Sequence, residues 1–141
     1  MFLLSTRGGI YGSYCISRGV KVDPNKIKSI KEWKVPTKIK RLRGFLGLTG
    51  YYHKFVKNYG RIVAPLTTLL KKDAFSWTPE ATKAFKHLKE AMCLAPVLAT
   101  PDFTKTFIVE CDASRNGIGA VLMQEGRPID FESCPIKGNY L

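Results

Sequence analysis

Acidic residues are almost missing from the first half of this 141-residue chain: residues 1–72 hold 16 lysines and arginines but only Asp23 and Glu32. Residues 73–141 hold 7 bases against 9 acids, so a first-half charge of +14 and a second-half charge of −2 make the net +12. Long apolar runs are missing too. No uncharged stretch nears the ~20 residues of a membrane span, and Met1-Phe2-Leu3-Leu4 gives way at once to Ser5-Thr6-Arg7-Gly8-Gly9. Neither a membrane partner nor a signal peptide is expected. Cys15, Cys93, Cys111 and Cys134 show no C-x-x-C spacing, which argues against a zinc knuckle or a disulfide framework and for buried or idle thiols in a reducing compartment. His53 and His87 stand far apart with no nearby cysteine or carboxylate pair, so surface or packed histidines are expected rather than ligands or bases. There is also no Gly-rich phosphate loop, no Ser/His/Asp arrangement and no H-E-x-x-H.

A composition 45% hydrophobic and 11% aromatic can bury the core of one domain or of two small halves. A compact segment with so many cations attracts phosphate through counterion release, which makes nucleic acid the first partner to consider.

Residues 10–22 mix β-formers with Gly12 and Gly19 and predict two short strands around a turn. Asp23-Pro24 predicts a capped helix start, with Ile27, Ile30 and Trp33 or Lys34 as its stripe and Pro36 as its end. Thr37 is the expected cap of the next helix, whose stripe runs through Ile39, Leu42, Phe45-Leu46, Tyr52 and Phe55-Val56. Lys38, Lys40, Arg41, Arg43, Lys54, Lys57 and Arg61 then form a basic surface in and around it. Gly44, Gly47 and Gly50 lie three apart in the same pattern, although each costs roughly 1 kcal/mol relative to alanine. Such a lane admits either a second helix at close range or a nucleic-acid backbone. A short helix is expected from Ile62 to Leu70 with Pro65 early, and a one-sided helix after Thr78-Pro79-Glu80 with Ala81, Ala84-Phe85, Leu88 and Met92 inward.

Pro96 and Pro101 bracket an extended connector, after which the period becomes two. Phe107, Val109 and Cys111 alternate with Ile108, Glu110 and Asp112, putting both carboxylates on one strand face. A turn at Ala113 to Gly117, a strand from Ile118 to Gln124, a turn at Glu125-Gly126-Arg127-Pro128 and a strand from Ile129 to Glu132 complete an antiparallel meander with no covering helix. Asp112 can be read as a turn-former bonding its own backbone or as an oxygen ligand for a hard cation, with Glu110 beside it. Spacing does not aim Asp130 and Glu132 at Asp112, and a two-metal phosphodiester site needs more than two convergent carboxylates.

Leu42-Arg43-Gly44-Phe45-Leu46-Gly47-Leu48-Thr49-Gly50-Tyr51-Tyr52, Ala64-Pro65-Leu66, Phe75-Ser76-Trp77, Ala95-Pro96-Val97-Leu98, Glu110-Cys111-Asp112-Ala113-Ser114 and the Gly117-to-Gln124 strand together resemble the polyprotein of gypsy-class long-terminal-repeat retrotransposons. The resemblance runs in order over residues 14–133. It implies an α+β chain: residues 1–22 as a palm-hairpin remnant of a reverse transcriptase, 23–101 as thumb and connection, and 102–141 as the opening meander of a ribonuclease H-like domain. It also implies an RNA–DNA hybrid or DNA duplex as partner, other segments of the polyprotein as further partners, Mg²⁺ as cofactor, Asp112 as the first catalytic metal-binding aspartate, and an intracellular setting, either a cytoplasmic particle or the nucleus. The parent activities would be RNA-directed DNA synthesis and hydrolysis of RNA in hybrids. The family's Tyr/Phe-x-Asp-Asp polymerase turn is absent and Tyr11-Gly12-Ser13-Tyr14 departs from its usual pattern, so the expected start is a truncated or misjoined frame, with the other ribonuclease ligands beyond Leu141. The leading expectation is a basic duplex-gripping module without catalysis. The alternatives are a ribonuclease completed by another chain and a genomic relic.

Overall fold

The computed structural model describes residues 13–16, 19–114 and 117–135. Its first element is an antiparallel hairpin of β1 (Ser13–Ile16) and β2 (Gly19–Val22), with Ser13 opposite Val22; positions 10–12 of the expected strand lie outside the described residues. Asp23 then caps α1 (Pro24–Lys31), its Oδ1 accepting from the Asn25 N–H at 2.9 Å. Proline at the first helical position loses nothing, because that N–H has no intrahelical partner anyway.

The helix expected from Thr37 to Val56 is shorter than its hydrophobic stripe. α2 spans Ile39–Tyr51, with Lys38 at its N-cap and no side-chain cap bond. Beyond Tyr52 the chain makes one 3₁₀ turn, His53–Phe55, and Val56 is extended. Tyr52, Phe55 and Val56 are all buried, so packing drew these residues inward by unwinding the helix end rather than by continuing it. Asn58 takes a left-handed conformation, φ 59°, and starts α3 (Tyr59–Thr67), three residues before the expected Ile62. Pro65 therefore sits inside that helix rather than near its start, and a second 3₁₀ turn, Thr68–Leu70, follows. α4 (Pro79–Cys93) begins where expected, with Thr78 Oγ1 accepting from the Ala81 N–H at 3.1 Å.

These helices share one core. Phe45 is fully buried, with its ring centroid 4.6 Å from Phe85 and 5.7 Å from Trp33. Leu42, Leu66, Leu88 and Met92 close around it, all without exposed surface. Burying a side chain of this size contributes roughly 1.5–3 kcal/mol. Lys89 ties α1 to α4 by donating to the backbone carbonyls of Lys31 and Trp33.

β3 (Ile108–Ser114), β4 (Gly117–Gln124) and β5 (Arg127–Pro135) form the expected antiparallel meander in the order β3-β4-β5. Its second turn is tighter than expected. Glu125 and Gly126 form the whole turn with positive φ, 51° and 76°, the signature of a two-residue hairpin, so Arg127 and Pro128 already belong to β5. Leu122 pairs with Asp130 but Met123 with Pro128, leaving Ile129 as a bulge beside a residue that lacks an N–H.

Helices cover one edge of the meander, which was expected to stand uncovered. β5 leans on α3, where the Gly60 N–H donates to Ser133 Oγ at 2.7 Å, and Phe131 packs against the helical core. The β3 side remains bare, with Ile108 and Val109 52% and 60% exposed. The connector holds both parts: Val20 and Leu98 exchange two backbone hydrogen bonds of 2.7 Å, and the Ala99 N–H donates to Pro128 O. Gln124, buried at the end of β4, accepts from the Asp102 N–H and donates to the carbonyls of Asp102 and Lys105. Cys93, Cys111 and Cys134 are free and exposed, so of the expected buried or idle thiols these three are not buried.

Candidate nucleic-acid interface and carboxylate site

α2 separates its residues by sign and size. Leu42, Phe45 and Thr49 are buried, while Lys40, Arg43, Gly44, Gly47 and Tyr51 recur at three- and four-residue spacing along the exposed side. Arg41 flanks this lane and Lys38 stands at its head. Among the described residues no carboxylate lies within ion-pair distance of Lys38, Lys40, Arg41, Arg43, Lys54 or Lys57. The three glycines have different surroundings. A methyl group added to Gly44 would make ordinary contact with the Trp33 ring at 3.7 Å, one on Gly50 would crowd the Tyr59 hydroxyl at 3.4 Å, and one on Gly47 would meet nothing within 4 Å. Among the described residues no second helix packs on the lane at Gly47.

The other expected contact residues go elsewhere. Lys54 lies over the Phe55 ring, 5.5 Å from its centroid. Lys57 lines a cavity with Glu110 and Asp112 without pairing to either, and Arg61 lines a groove between α3 and α4 to which no residue of α2 contributes.

Glu110 and Asp112 are exposed on one face of β3 and line a cavity of about 130 Å³ with Lys57, Asn58, Gly119 and Phe131. Sheet register explains the company. Asp112 pairs with Gly119 and Glu110 with Val121, and these in turn pair with Ser133 and Phe131. Cross-strand partners share a face, so Asp130 and Glu132, opposite Leu122 and Ala120, point to the other side of the sheet. The Asn58 side chain makes no cap bond for α3. It lies over Gly119 instead, where a Cβ would come within 2.7 Å of its Oδ1. Gly119 therefore lets the loop before α3 close down beside Asp112.

The donor set of this cavity is hard oxygen, the type that Mg²⁺ takes, but it stops at two carboxylates. Among the described residues no three His, Cys, Asp or Glu side chains are placed to hold a metal ion. Two carboxylates do not fit a pair of ions, which needs several convergent ligands, and no reaction step follows from them.

On the opposite face His53 joins the helices to β5. Its Nδ1 is 2.9 Å from Gly50 O and its Nε2 is 3.2 Å from Glu132 Oε1; with an oxygen acceptor at each nitrogen, the geometry suits the doubly protonated ring. Burial alone would lower the His53 pKa, but the hydrogen bonds to Gly50 and Glu132 and the charges of Glu132 and Asp130 together raise it above 6.5. Asp130 is also raised, first by burial and then by Glu132, against the opposing pull of His53 and Lys54. A raised histidine stabilises fully below its unfolded pKa and loses that contribution as pH climbs through the folded value. A raised aspartate has the same sign, its ionisation costing stability as pH rises from the usual carboxylate range. The junction should therefore weaken between about pH 6 and pH 8, and His53→Gln should flatten that response. Side-chain exposures of 43% and 60% for His53 and Glu132 keep the effect within about 1 kcal/mol. Thermal unfolding at both pH values checks this, and an undiminished pH response in the variant would contradict it.

Asn58, Gly119, Lys83 and His87 were not singled out by sequence reasoning as parts of a site. Lys83 and His87 sit at i and i+4 on the exposed side of α4, a signal visible in the sequence only when Arg61 is known to face them.

A family model described as the RNase H-like domain found in reverse transcriptase matches residues 77–139. The chain is 43% identical over 140 residues to the retrovirus-related Pol polyprotein from transposon 297 of Drosophila melanogaster, covering 98% of this chain and 13% of that one. It is 38% identical to the Pol polyprotein from transposon gypsy of the same fly, covering 90% of this chain and 14% of that one. The chain thus spans about one-seventh of the length of these polyproteins. Among solved structures, a foamy viral protease-reverse transcriptase in complex with RNA/DNA hybrid shares the fold with a TM-score of 0.82 at 23% identity, over 91% of this chain and 18% of that one.

Proposed function

Because this chain belongs to the gypsy-class retrotransposon polyproteins and carries the region that runs into their RNase H-like domain, we propose that it grips an RNA–DNA hybrid or DNA duplex through the exposed face of α2, without catalysis of its own. The observation that supports this is Gly47: an open glycine amid Lys40, Arg43 and Gly44, with no atom of the described residues within 4 Å of an added Cβ. A side-chain-free strip between cations lets a sugar-phosphate backbone approach the helix while charge on both flanks neutralises phosphate. The foamy viral neighbour, which shares the fold, is itself in complex with RNA/DNA hybrid. In this reading DNA synthesis and RNA hydrolysis belong to the longer polyproteins, and Asp112 with Glu110 supplies only part of a magnesium site. A second reading, a ribonuclease centre completed by another chain, is favoured by β3, which among the described residues pairs only with β4 and leaves both carboxylates exposed.

Gly47→Leu should lower affinity for a labelled hybrid about tenfold, through the loss of one or two backbone contacts, with helix content unchanged or slightly higher. With Mg²⁺ present the hybrid should stay intact. Wild-type affinity in the variant would overturn the α2 interface, and metal-dependent cleavage that Asp112→Asn abolishes would overturn the absence of catalysis.

A further inference from the structure

A second basic groove lies between α3 and α4. Arg61, Ile62 and Pro65 form one wall, Lys83, Ala84 and His87 the other, and Lys57 with Asn58 line it as well. Every charged side chain in the lining is cationic. Glu80 and Glu90, three residues before Lys83 and three after His87 on the same helix, do not line it. Its form follows from the period of α4. Ala81, Ala84, Phe85, Leu88 and Met92 turn inward, so Lys83 and His87, one turn apart, are left together on the outer rim.

Lys57 and Asn58 line both this groove and the cavity of Glu110 and Asp112. The two depressions therefore meet at the loop before α3. The groove measures about 500 Å³, within the range of sites that hold a nucleotide-sized ligand. Ile62, Pro65 and Ala84 in its walls offer apolar surface to a sugar or base edge, and the cations of the lining are offered to phosphate. A single small anion would not need that volume, whereas a nucleotide of a strand would make use of it.

We infer that the α3–α4 groove holds the phosphodiester backbone of a nucleic-acid strand and leads it past Lys57 to the carboxylates of β3. The inference rests on the proposed nucleic-acid function but uses different residues from the α2 lane, so the two can fail separately. Phosphate contacts of this kind position a strand without reading its sequence.

The test is fluorescence anisotropy of a labelled RNA–DNA hybrid with the whole chain at several salt concentrations. It compares wild type, Lys83→Glu with His87→Glu, Lys40→Glu with Arg43→Glu, and Lys86→Glu as a control on exposed α4 surface outside the groove. The groove variant should bind about tenfold more weakly, with a salt slope shallower by about one to two. Lys83→Arg should retain wild-type binding. If the groove variant matches wild type while the α2 variant weakens, the groove is refuted and the α2 interface stands. If only the groove variant weakens, the α2 interface is refuted and the groove stands. An equal loss in the Lys86→Glu control would reduce the groove to a general effect of charge and overturn it, and salt-independent or absent binding by wild type would overturn both. Circular dichroism of each variant guards against misfolding.

Discussion

Gly19→Ala should destabilise the chain by about 3 kcal/mol or more, lowering the thermal midpoint by roughly 10 °C. Gly19 has φ 143°, where a Cβ is strained in any surroundings. Here the surroundings forbid it as well: the added carbon would lie 1.9 Å from the Leu98 carbonyl oxygen and 2.9 Å from its carbonyl carbon. The atoms in the way are backbone and cannot rotate aside. To make room, the paired hydrogen bonds between Val20 and Leu98 must open, each a loss of about 1 kcal/mol, in addition to backbone strain of about 1–3 kcal/mol. The Ala99-to-Pro128 bond is next in line, so the hairpin, the connector and β5 should loosen together. Differential scanning calorimetry of the variant checks this. A midpoint within 2–3 °C of wild type, less than the shift of about 1 kcal/mol, would mean that the bridge is not held as described.

The sequence carried the architecture well wherever local chemistry and packing agreed. Asp23-Pro24 and Thr78-Pro79 each supply both a cap and a proline with no helical N–H to lose, and both helices start there. The alternation from Ile108 to Asp112 put the two carboxylates on one face, as the register bears out. Legibility failed where packing overrode period. The stripe of α2 continues through Phe55-Val56, but the backbone leaves the helix at Tyr52, because those side chains reach the core only through a 3₁₀ turn and an extended residue. Nothing in a one-dimensional pattern announces such a break.

The candidate site was legible in part for a similar reason. Lys40, Arg43, Gly44 and Gly47 lie within one helix, so spacing alone places them on one face. Lys57 and Arg61 are near them in sequence but flank the left-handed turn at Asn58, where the chain is redirected toward β3 and α4. The company of Lys83 and His87 with Arg61 depends on how α3 crosses α4. The separation of Asp130 and Glu132 from Asp112 depends on strand register. Both are tertiary facts.

The salt dependence of duplex affinity tests the central claim most directly. Neutralising about five phosphates gives a slope of roughly −4 to −5 in log K against log salt, a loss of about 300- to 1,000-fold between 50 and 200 mM. Five combines the four exposed cations of the lane, Lys38, Lys40, Arg41 and Arg43, with one exposed cation outside it, such as Lys54. Charge reversal at Lys40 and Arg43 should make the slope shallower by about two, since each lost contact retains its counterion. The measurement is one titration series of a labelled hybrid with wild type and that variant from 50 to 200 mM salt. A steep wild-type slope that shallows in the variant is the predicted result; a flat slope, or equal slopes for the two chains, would contradict the account.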